Sequence, residues 1–484
     1  MLRKSAVVFA LGAALLWGQR GWGSAFDMRM ESATEQRGVI TVITTGAKFQ
    51  IDRHGAIRCW QRIPRERLVL EVSFAPAPGP FRIEKKDGFS CTVSCPAGAL
   101  TFQGDSLVIL KLKENVKTRF RGFFPPAYHF EKGGKWILMD EEGGFGVYPV
   151  AEKTTLAPAF SKLPWDIAYE FTGGDEAWWS VFPPRPYNWN RAFEAIEHDG
   201  ANEGAGAYPS NDQIAAAAKY CKVLTLHAGI WKDVPEDVKA KMTPIVHTQK
   251  YAGHPQPWLS SKHVPFDMKE FIRVRDEAHK RGLKVVVYMS PYYSTAPDIF
   301  AEMQRVLNEY QVDGLYFDGI SRDFRKSYAV IRRAREILGD RILYVHCSSD
   351  PLMDGRIYCP FIDTYADYIL RGEPGVWGLK LDDFLRWTIS GYNISNAVGY
   401  WCYYGSNQQQ GYDVSTPKAG KYIDTVPTPE HIDAALRNKA FIWRQGQEWS
   451  QPKLQDDLAA FDKEYYGKLE LLRQGREKQG TSRK

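Results

Sequence analysis

The sequence predicts an α/β protein in which an N-terminal β-sandwich precedes a (β/α)8 TIM barrel. Short strand signals alone fill roughly the first third of the chain, and after Pro164 strands alternate with helical patterns. Such alternation indicates a parallel sheet. The space of about 270 residues after this change is the usual size of a barrel. No Gly-x-Gly-x-x-Gly stands at a strand–helix junction, which counts against a dinucleotide-binding sheet.

Residues 1–25 are predicted to be a signal peptide. A basic pair is followed by an apolar run ending at Trp17 and by a small-residue cleavage site ending at Ala25. An apolar run of about 12 residues is too short to span a bilayer comfortably. We therefore expect a secreted or periplasmic protein without membrane insertion.

Composition excludes several classes of protein. The net charge is only +6, and no basic stripe with interleaved aromatic residues occurs, so nucleic-acid binding is not expected. The seven cysteines have no zinc-finger spacing, and Cys91 and Cys95 are too far apart along an extended strand to bridge directly. Stability must therefore come from apolar cores. The basic C-terminal residues 451–484 are predicted to form a solvated helical tail.

Strand signals occupy residues 30–172, which we assign to the β-sandwich domain. They are β-branched or alternating runs separated by turns that contain glycine and proline, as is typical of a sandwich. The clearest predicted strands lie at 39–44, 68–74, 90–94, 107–112 and 135–139.

Residues 175–450 are assigned to the barrel domain. Predicted helices lie at 211–220, 267–281, 296–310, 324–338 and 379–390. Predicted barrel strands lie at 178–182, 222–227, 283–290, 312–318, 341–346, 361–369 and 397–403, with a weaker eighth strand at 440–443.

The fourth predicted strand ends in a carboxylate, Asp318. The apolar strand 312–318 has the composition of a strand buried on both faces, and Gly319 permits a tight turn after it. The C-terminal ends of barrel strands carry the chemistry of such enzymes. The alternative is that Asp318 caps the next turn or helix.

Polar and aromatic side chains concentrate at the C-terminal ends of six successive predicted strands, and this spread is the main functional signal. We predict that some of them contact a substrate, although the histidines could also be satisfied strand-end residues. The predicted substrate-binding residues are His227, Trp231, Tyr288, Tyr292, Arg322, His346, Arg371, Trp401 and Tyr404, together with Arg185 in the loop after the first predicted strand.

Two carboxylates that flank a sugar are the minimal equipment for glycoside hydrolysis. One stays ionised and attacks, while the other donates a proton to the leaving oxygen. Asp318 is the predicted nucleophile. The acid/base is either Glu373, in a loop after the sixth predicted strand, or Asp367, within that strand.

A β-sandwich followed by a barrel whose fourth strand ends in an aromatic-Asp-Gly sequence resembles the α-galactosidase (melibiase) clan and related α-glycosidases. The resemblance covers about residues 30–445 and implies an Asp nucleophile after strand four and a carboxylate acid/base after strand six. By position, Asp318 matches the nucleophile. The chain lacks the Lys-x-Asp motif of typical melibiases and has no obvious C-terminal β-domain.

The leading interpretation is a secreted glycoside hydrolase that acts on a carbohydrate substrate by a retaining two-carboxylate mechanism. Alternatives are a non-catalytic carbohydrate-binding protein and another carbohydrate-active enzyme, such as a polysaccharide lyase that uses Tyr, His or Lys as base beside an arginine cluster. His247, His254 and His263 lack the spacing of a zinc site, so neither a metal nor another cofactor is expected.

Overall fold

The computed structural model describes residues 28–199, 208–232, 262–321, 323–346, 359–371, 380–401, 427–445 and 455–481. The predicted signal peptide lies outside these ranges, as do Glu373, Arg322 and Tyr404.

The N-terminal part of the chain forms two antiparallel sheets. One sheet has seven strands in the order β1-β2-β3-β4-β5-β10-β14, and the other has eight in the order β11-β12-β13-β15-β9-β8-β7-β6. The strands are β1 (Met30–Gln36), β2 (Val39–Thr44), β3 (Ala47–Ile51), β4 (Ile57–Gln61), β5 (Arg67–Ala75), β6 (Arg82–Lys86), β7 (Ser90–Cys95), β8 (Gly98–Gln103), β9 (Leu107–Leu112), β10 (Val116–Gly122), β11 (Tyr128–Lys132), β12 (Lys135–Met139), β13 (Gly144–Pro149), β14 (Trp165–Phe171) and β15 (Glu176–Phe182).

Aromatic contacts hold these two sheets together. The ring centroids of Phe49 and Phe102 lie 5.0 Å apart, and those of Phe120 and Trp179 lie 5.6 Å apart, each pair joining one sheet to the other. Alternate residues of β2 are buried, which is the pattern of a strand with one face toward a core. The prediction of an all-β N-terminal region is therefore confirmed.

The predicted first barrel strand, 178–182, is wrong. These residues belong to β15, which pairs antiparallel with β13 and β9. Trp179 points into the core between the two sheets, while Trp178 packs on Phe324 of the following region with ring centroids 5.1 Å apart. Because both faces of β15 are buried, its sequence looks like that of a parallel strand. The antiparallel sheets thus extend past the predicted boundary at 172.

The C-terminal part of the chain contains a nine-stranded sheet in which every pairing is parallel. The last two strands of the chain in this sheet, Ala440–Ile442 and Arg444–Gln445, are separated only by Trp443. The first of them pairs with the strand Val398–Trp401, and the second pairs with the strand Ile196–Asp199. The pairings therefore run continuously from the first strand round to the last. The strands are β16 (Ile196–Asp199), β17 (Val223–Leu226), β18 (Lys284–Met289), β19 (Gly314–Asp318), β20 (Ile342–His346), β21 (Tyr368–Arg371), β22 (Val398–Trp401), β23 (Ala440–Ile442) and β24 (Arg444–Gln445).

The sequence prediction missed β16 because Ile196 is the only apolar residue in that strand. It also began the sixth strand too early, since residues Pro360–Asp363 are helical and β21 starts at Tyr368. The alternation of parallel strands with helices is confirmed. The complete (β/α)8 barrel and the β-sandwich stay predictions.

The helices Met268–Lys280 and Phe324–Leu338 match the predicted bounds to within one residue, whereas the helix predicted from residue 296 begins at Ile299. Asp267, Asp298 and Asp323 cap three helices by accepting hydrogen bonds from main-chain N–H groups of the first turn. The helical segments are α1 (Trp189–Ala192), α2 (Asn211–Ala217), a 3-10 turn (Ala228–Ile230), α3 (Met268–Lys280), α4 (Ile299–Glu309), α5 (Phe324–Leu338), α6 (Pro360–Asp363), α7 (Leu381–Phe384) with a following π turn (Leu385–Ile389), α8 (Pro429–Arg437) and α9 (Gln455–Thr481). Within the described ranges, no helix has the length and apolar character needed to cross a bilayer.

The first half of α9 packs on the parallel sheet, which corrects the expectation of a solvated tail. The hydroxyl of Tyr465 accepts a hydrogen bond of 2.9 Å from the main-chain N–H of Ile442, and Asp462 forms a buried ion pair with Arg444. Only the later turns are open to solvent, as at Leu471, which is 68% exposed. The first half of α9 thus packs on β23 and β24, the last two strands of the sheet.

Candidate active site at the C-terminal ends of the parallel strands

Four consecutive parallel strands bring polar side chains to one place. His227 directly follows β17, Tyr288 lies near the end of β18, and Asp318 and His346 end β19 and β20. Asp318 and His346 are partners in the strand register. Because the strands are parallel, all four side chains reach the same edge of the sheet.

The carboxylate of Asp318 is held by its neighbours and remains accessible. The Tyr288 hydroxyl donates to its Oδ2 at 3.3 Å, and Nδ1 of His346 lies 3.5 Å from its Oδ1. The side chain is 33% exposed. The Ser290 hydroxyl donates to the main-chain carbonyl of Asp318, which fixes the backbone at the strand end.

Charged and hydrogen-bonding neighbours keep Asp318 ionised. Burial by itself would raise the pKa of Asp318, but the hydrogen bond and charge of His346, with His227 and the Tyr288 hydroxyl, hold that pKa below its ordinary value. In contrast, burial and the nearby Asp318 charge raise the pKa of Tyr288 well above its usual range. The site therefore pairs a stable carboxylate with a phenol that remains a hydrogen-bond donor.

Aromatic rings build the floor of the site. The His227 ring lies 4.9 Å from the Tyr288 ring, which lies 5.9 Å from that of Tyr316. The Tyr316 hydroxyl is 3.0 Å from Nδ1 of His346. Sequence reasoning missed Tyr316; its signal is the position two residues before Asp318, which places both side chains on the same face of β19.

Gly319 and Tyr292 lie next to Asp318. Gly319 has φ +81°, and a Cβ built there would lie 3.3 Å from Cβ of Tyr292, so a larger residue would be both strained and crowded. Tyr292 thus borders the site. The alternative of Asp318 as a helix cap does not hold, because Asp323 fills that role for α5.

Asp367 does not lie beside Asp318. It immediately precedes β21, at the N-terminal ends of the strands, and accepts hydrogen bonds from Arg335 at 2.7 Å and from the Leu343 N–H at 2.9 Å. Nε of Arg191 is 3.3 Å from its second oxygen. Asp367 is a buried structural carboxylate, and the expectation that it faces the nucleophile is wrong.

Two predicted binding arginines are buried away from the site. Arg371 is 1% exposed and donates to Asp363 at 2.8 Å. Arg185 donates to the main-chain carbonyls of Thr364 and Ala366 at 2.9 and 3.0 Å. Both predictions of substrate contact are corrected, because these guanidiniums satisfy groups inside the protein.

The two predicted tryptophan platforms are also part of the core. Nε1 of Trp231 donates to the main-chain carbonyl of Tyr288 at 2.9 Å, and its ring packs on Phe271. Trp401 is 1% exposed and lies against Phe384 of α7. Neither ring face is open to a sugar.

Three predicted residues, Glu373, Arg322 and Tyr404, lie outside the described residues and stay predictions. Within the described ranges, no group of three His, Cys, Asp or Glu side chains is placed to hold a metal ion. The described cysteines, Cys59, Cys91, Cys95, Cys221 and Cys359, are free thiols.

No protein-family model matches the sequence, and no curated protein sequence matches it. Among solved structures, a GH36 alpha-galactosidase from Geobacillus stearothermophilus is similar at 9% identity and a TM-score of 0.40, covering 90% of this chain and 86% of its own. The galactosidase domain of an alpha-galactosidase–sucrose kinase is similar at 8% identity and a TM-score of 0.41, covering 91% and 86%.

A maltogenic alpha-amylase from Thermotoga neapolitana is similar at 10% identity and a TM-score of 0.26, covering 37% of this chain. This chain spans about half, 49%, of the length of that amylase. TM-scores of this size are too low to establish a shared fold or a shared activity.

Proposed function

We propose that this protein is a glycoside hydrolase in which Asp318 is the catalytic nucleophile. The observation that carries the proposal is the accessible, ionised carboxylate at the end of β19, with Tyr288 and His346 in contact with it. A carboxylate of this kind can attack an anomeric carbon or stabilise an oxocarbenium ion. The proposal includes a complete (β/α)8 TIM barrel behind a β-sandwich domain.

In the proposed retaining mechanism, Asp318 forms a covalent bond to the anomeric carbon as the glycosidic C–O bond breaks. A carboxylic acid protonates the leaving oxygen, then takes a proton from the water that releases the sugar. Glu373 is the proposed acid/base, because it follows β21 in the sequence by two residues and Asp367 is engaged with Arg335 and Arg191.

The neighbours of Asp318 have proposed roles of their own. Tyr288 donates to the nucleophile and stabilises its charge before attack. His227, Tyr292 and His346 lie around the carboxylate and are the other described candidates for contact with sugar hydroxyls. The carbohydrate is the proposed substrate, and no cofactor is proposed.

Turnover of aryl glycosides by the wild type and by Asp318→Asn tests this proposal. The resemblance to the α-galactosidase clan makes aryl α-galactosides the first substrates, followed by other α- and β-glycosides. We expect wild-type turnover and a loss of several orders of magnitude in Asp318→Asn, because an amide cannot act as the nucleophile. Retention of more than about a tenth of wild-type turnover, a loss under ~1.4 kcal/mol, would exclude Asp318 as nucleophile.

Leaving-group dependence tests the acid/base. Glu373→Gln should lower turnover most for substrates with poor leaving groups, since only these depend strongly on proton donation. Asp367→Asn should show no such dependence. The reverse result would return the acid role to Asp367.

The two alternatives make different predictions. A carbohydrate-binding protein would bind glycans without any turnover by the wild type. A polysaccharide lyase needs an arginine cluster beside its base, and within the described residues Arg185 and Arg371 are both buried in structural contacts. We therefore favour hydrolysis.

Export is a separate proposal, which rests on the sequence of residues 1–25. N-terminal sequencing of the exported protein should give a start near Phe26. A start at Met1 would contradict it.

A further inference from the structure

A cluster of aromatic rings lies at the end of the parallel sheet opposite Asp318. Trp189 precedes β16 and Tyr392 precedes β22, so both stand at the N-terminal ends of strands. The Tyr187 ring is 4.8 Å from the Trp189 ring and 4.9 Å from the Tyr392 ring. Phe193 continues the cluster at 5.8 Å from Trp189.

Two cations lie on this aromatic cluster. The Arg476 guanidinium, from α9, is 3.9 Å from the centre of the Trp189 ring, and the Lys439 ammonium is 4.0 Å from the centre of the Tyr392 ring. Neither cation forms an ion pair with a carboxylate in the described part of the chain. A guanidinium that stacks on a ring keeps the N–H donors in its own plane available, so Arg476 is arranged to receive a carboxylate or sulfate.

A groove of about 570 Å³ opens beside Arg476. Trp189, Asn190 and Phe193 line it, together with Arg473, Arg476, Glu477 and Gln479 of α9. Lys439 lies next to this lining, close enough to be affected by the charge of Arg476. This volume is within the range of small-ligand sites, roughly 300–1,000 Å³. Aromatic walls with an amide and a guanidinium suit a sugar ring that carries a negative charge.

The excess of positive charge around the groove comes from Arg476 and Lys439, because Glu470 and Glu477 both lie on Arg473. Arg473 is neutralised by Glu470, at 2.6 Å, and by Glu477, whereas Arg476 and Lys439 are not. Burial, followed by the positive charges of Arg476 and Arg386, lowers the pKa of Lys439. A bound anion would relieve this repulsion.

We propose that this groove binds an acidic oligosaccharide, with its carboxylate or sulfate held by Arg476 and attracted by the charge of Lys439 next to the groove, and with a sugar ring against Phe193 and the part of Trp189 that Arg476 leaves open. With only two cations lacking ion pairs, the groove does not have the extended positive surface that a nucleic acid needs. Its position at the opposite end of the strands makes it independent of the active site proposed at Asp318.

Calorimetric titration of the full chain tests the site. The protein carries Asp318→Asn so that no substrate is consumed, and the probes are tetragalacturonic acid, a sulfated carrageenan tetrasaccharide and neutral cellotetraose. We expect one or both acidic probes to bind and the neutral probe to bind at least about tenfold more weakly, since it lacks the charge-assisted contacts. Comparison of the two acidic probes distinguishes carboxylate from sulfate recognition.

Substitutions then locate the site. Arg476→Gln should weaken the acidic probe about tenfold or more, and Lys439→Gln should weaken it severalfold. Lys463→Gln removes the same charge from an exposed position on α9 outside the groove and should change affinity less than about twofold. Thermal unfolding of each variant checks that the fold is retained.

The proposal is overturned if neither acidic probe binds, if cellotetraose binds as tightly, or if Arg476→Gln and Lys463→Gln bind alike. Competition by a single-stranded oligonucleotide at equal affinity would instead indicate a general polyanion surface and would also overturn it. Because binding is measured in the Asp318→Asn background, its outcome does not depend on whether the protein hydrolyses glycosides.

Discussion

The imidazole of His346 lies 3.5 Å from the carboxylate of Asp318, and the two residues are register partners on neighbouring parallel strands. A matching pair stands at the other end of β19, where Nε2 of His279 is 2.8 Å from Asp313. The first pair borders the accessible site, whereas Asp313 accepts a structural hydrogen bond from the Val285 N–H. The same two residue types thus border the candidate site at one end of the strand and make a structural contact at the other.

His346→Gln should move the acid limb of the pH–kcat/KM profile to higher pH. In the proposed mechanism Asp318 must be ionised to attack, and His346 helps to hold the pKa of Asp318 below its ordinary value. Loss of His346 raises that pKa, so activity should be lost at a higher pH as the solution is acidified. Rates between about pH 3 and 7 measure the shift.

His279→Gln is the matched control, because it removes a histidine beside Asp313 on the same strand. It should leave the acid limb in place. If both variants shift the limb equally, or neither does, His346 does not set the ionisation of Asp318.

Tyr288→Phe should lower kcat/KM by about tenfold while the protein stays folded. The substitution removes the 3.3 Å hydrogen bond to Asp318 but keeps the ring that packs on His227. A hydrogen bond to a charged group contributes roughly 1.5–3 kcal/mol, and the long distance places this one at the lower limit. Steady-state kinetics on an aryl glycoside give the ratio.

Tyr316→Phe provides the comparison, since Tyr316 contacts His346 and not the carboxylate. We expect a smaller loss, about threefold, together with a small upward shift of the acid limb. An effect of Tyr316→Phe larger than that of Tyr288→Phe would mean that the hydrogen bond from Tyr288 is not the main support of Asp318.

Asp367→Asn should lower stability without a specific effect on turnover. Arg335 and Arg191 are both partly or fully buried against Asp367, and removal of its charge leaves them uncompensated. The expected cost is about 2–4 kcal/mol in the free energy of unfolding. Urea denaturation measures this cost, and active-site titration normalises the rate to folded protein.

For Asp318→Asn we expect the opposite of Asp367→Asn: turnover is lost, and the free energy of unfolding is unchanged. A pair of variants that both lose stability, or both lose only activity, would contradict the separation of roles between the two ends of the strands.

Much of this site could be predicted from sequence because position at a strand end is visible in the chain. This position predicts His227, Tyr288 and His346 as site residues, and the structure places them around Asp318. Their catalytic and binding roles stay predictions.

The direction in which a side chain points was not visible. Strands buried on both faces lack the alternation that separates inside from outside. On β22, Tyr400 points inward to Tyr368, with ring centroids 5.7 Å apart, whereas its neighbour Trp401 points outward to Phe384. Position at a strand end therefore predicts Arg371 and Trp401 as site residues, although both side chains face the surrounding layer. For the same reason the sequence predicts residues 178–182 as a barrel strand: both faces of β15 are buried, so its sequence does not show that it belongs to an antiparallel sheet.

Asp363 should make stability decrease as the pH rises from about 4 to 6. Burial raises the pKa of Asp363 to about 6, although Arg371 and the Cys359 N–H favour the charged form. The unfolded pKa is about 3.9, so between these values the folded state binds more protons than the unfolded state. The free energy of unfolding therefore falls as the pH rises through this range, by about 2–3 kcal/mol in total once Asp363 is deprotonated.

Asp363→Asn should flatten this slope, whatever its effect on absolute stability, because an amide does not titrate. Thermal midpoints of both proteins between about pH 4 and 7 give the comparison. Parallel slopes for the wild type and the variant would show that Asp363 is not the titrating group.

Leu469 and Leu471 test whether α9 is part of the folded domain. The two leucines lie on the same helix, but Leu469 is 5% exposed and Leu471 is 68% exposed. Leu469→Ala should cost about 2–5 kcal/mol, since it leaves a cavity where α9 packs on the parallel sheet. Leu471→Ala should change the free energy of unfolding by less than about 0.5 kcal/mol. Urea denaturation of both variants measures the difference, and equal values would mean that α9 does not pack on the sheet in solution.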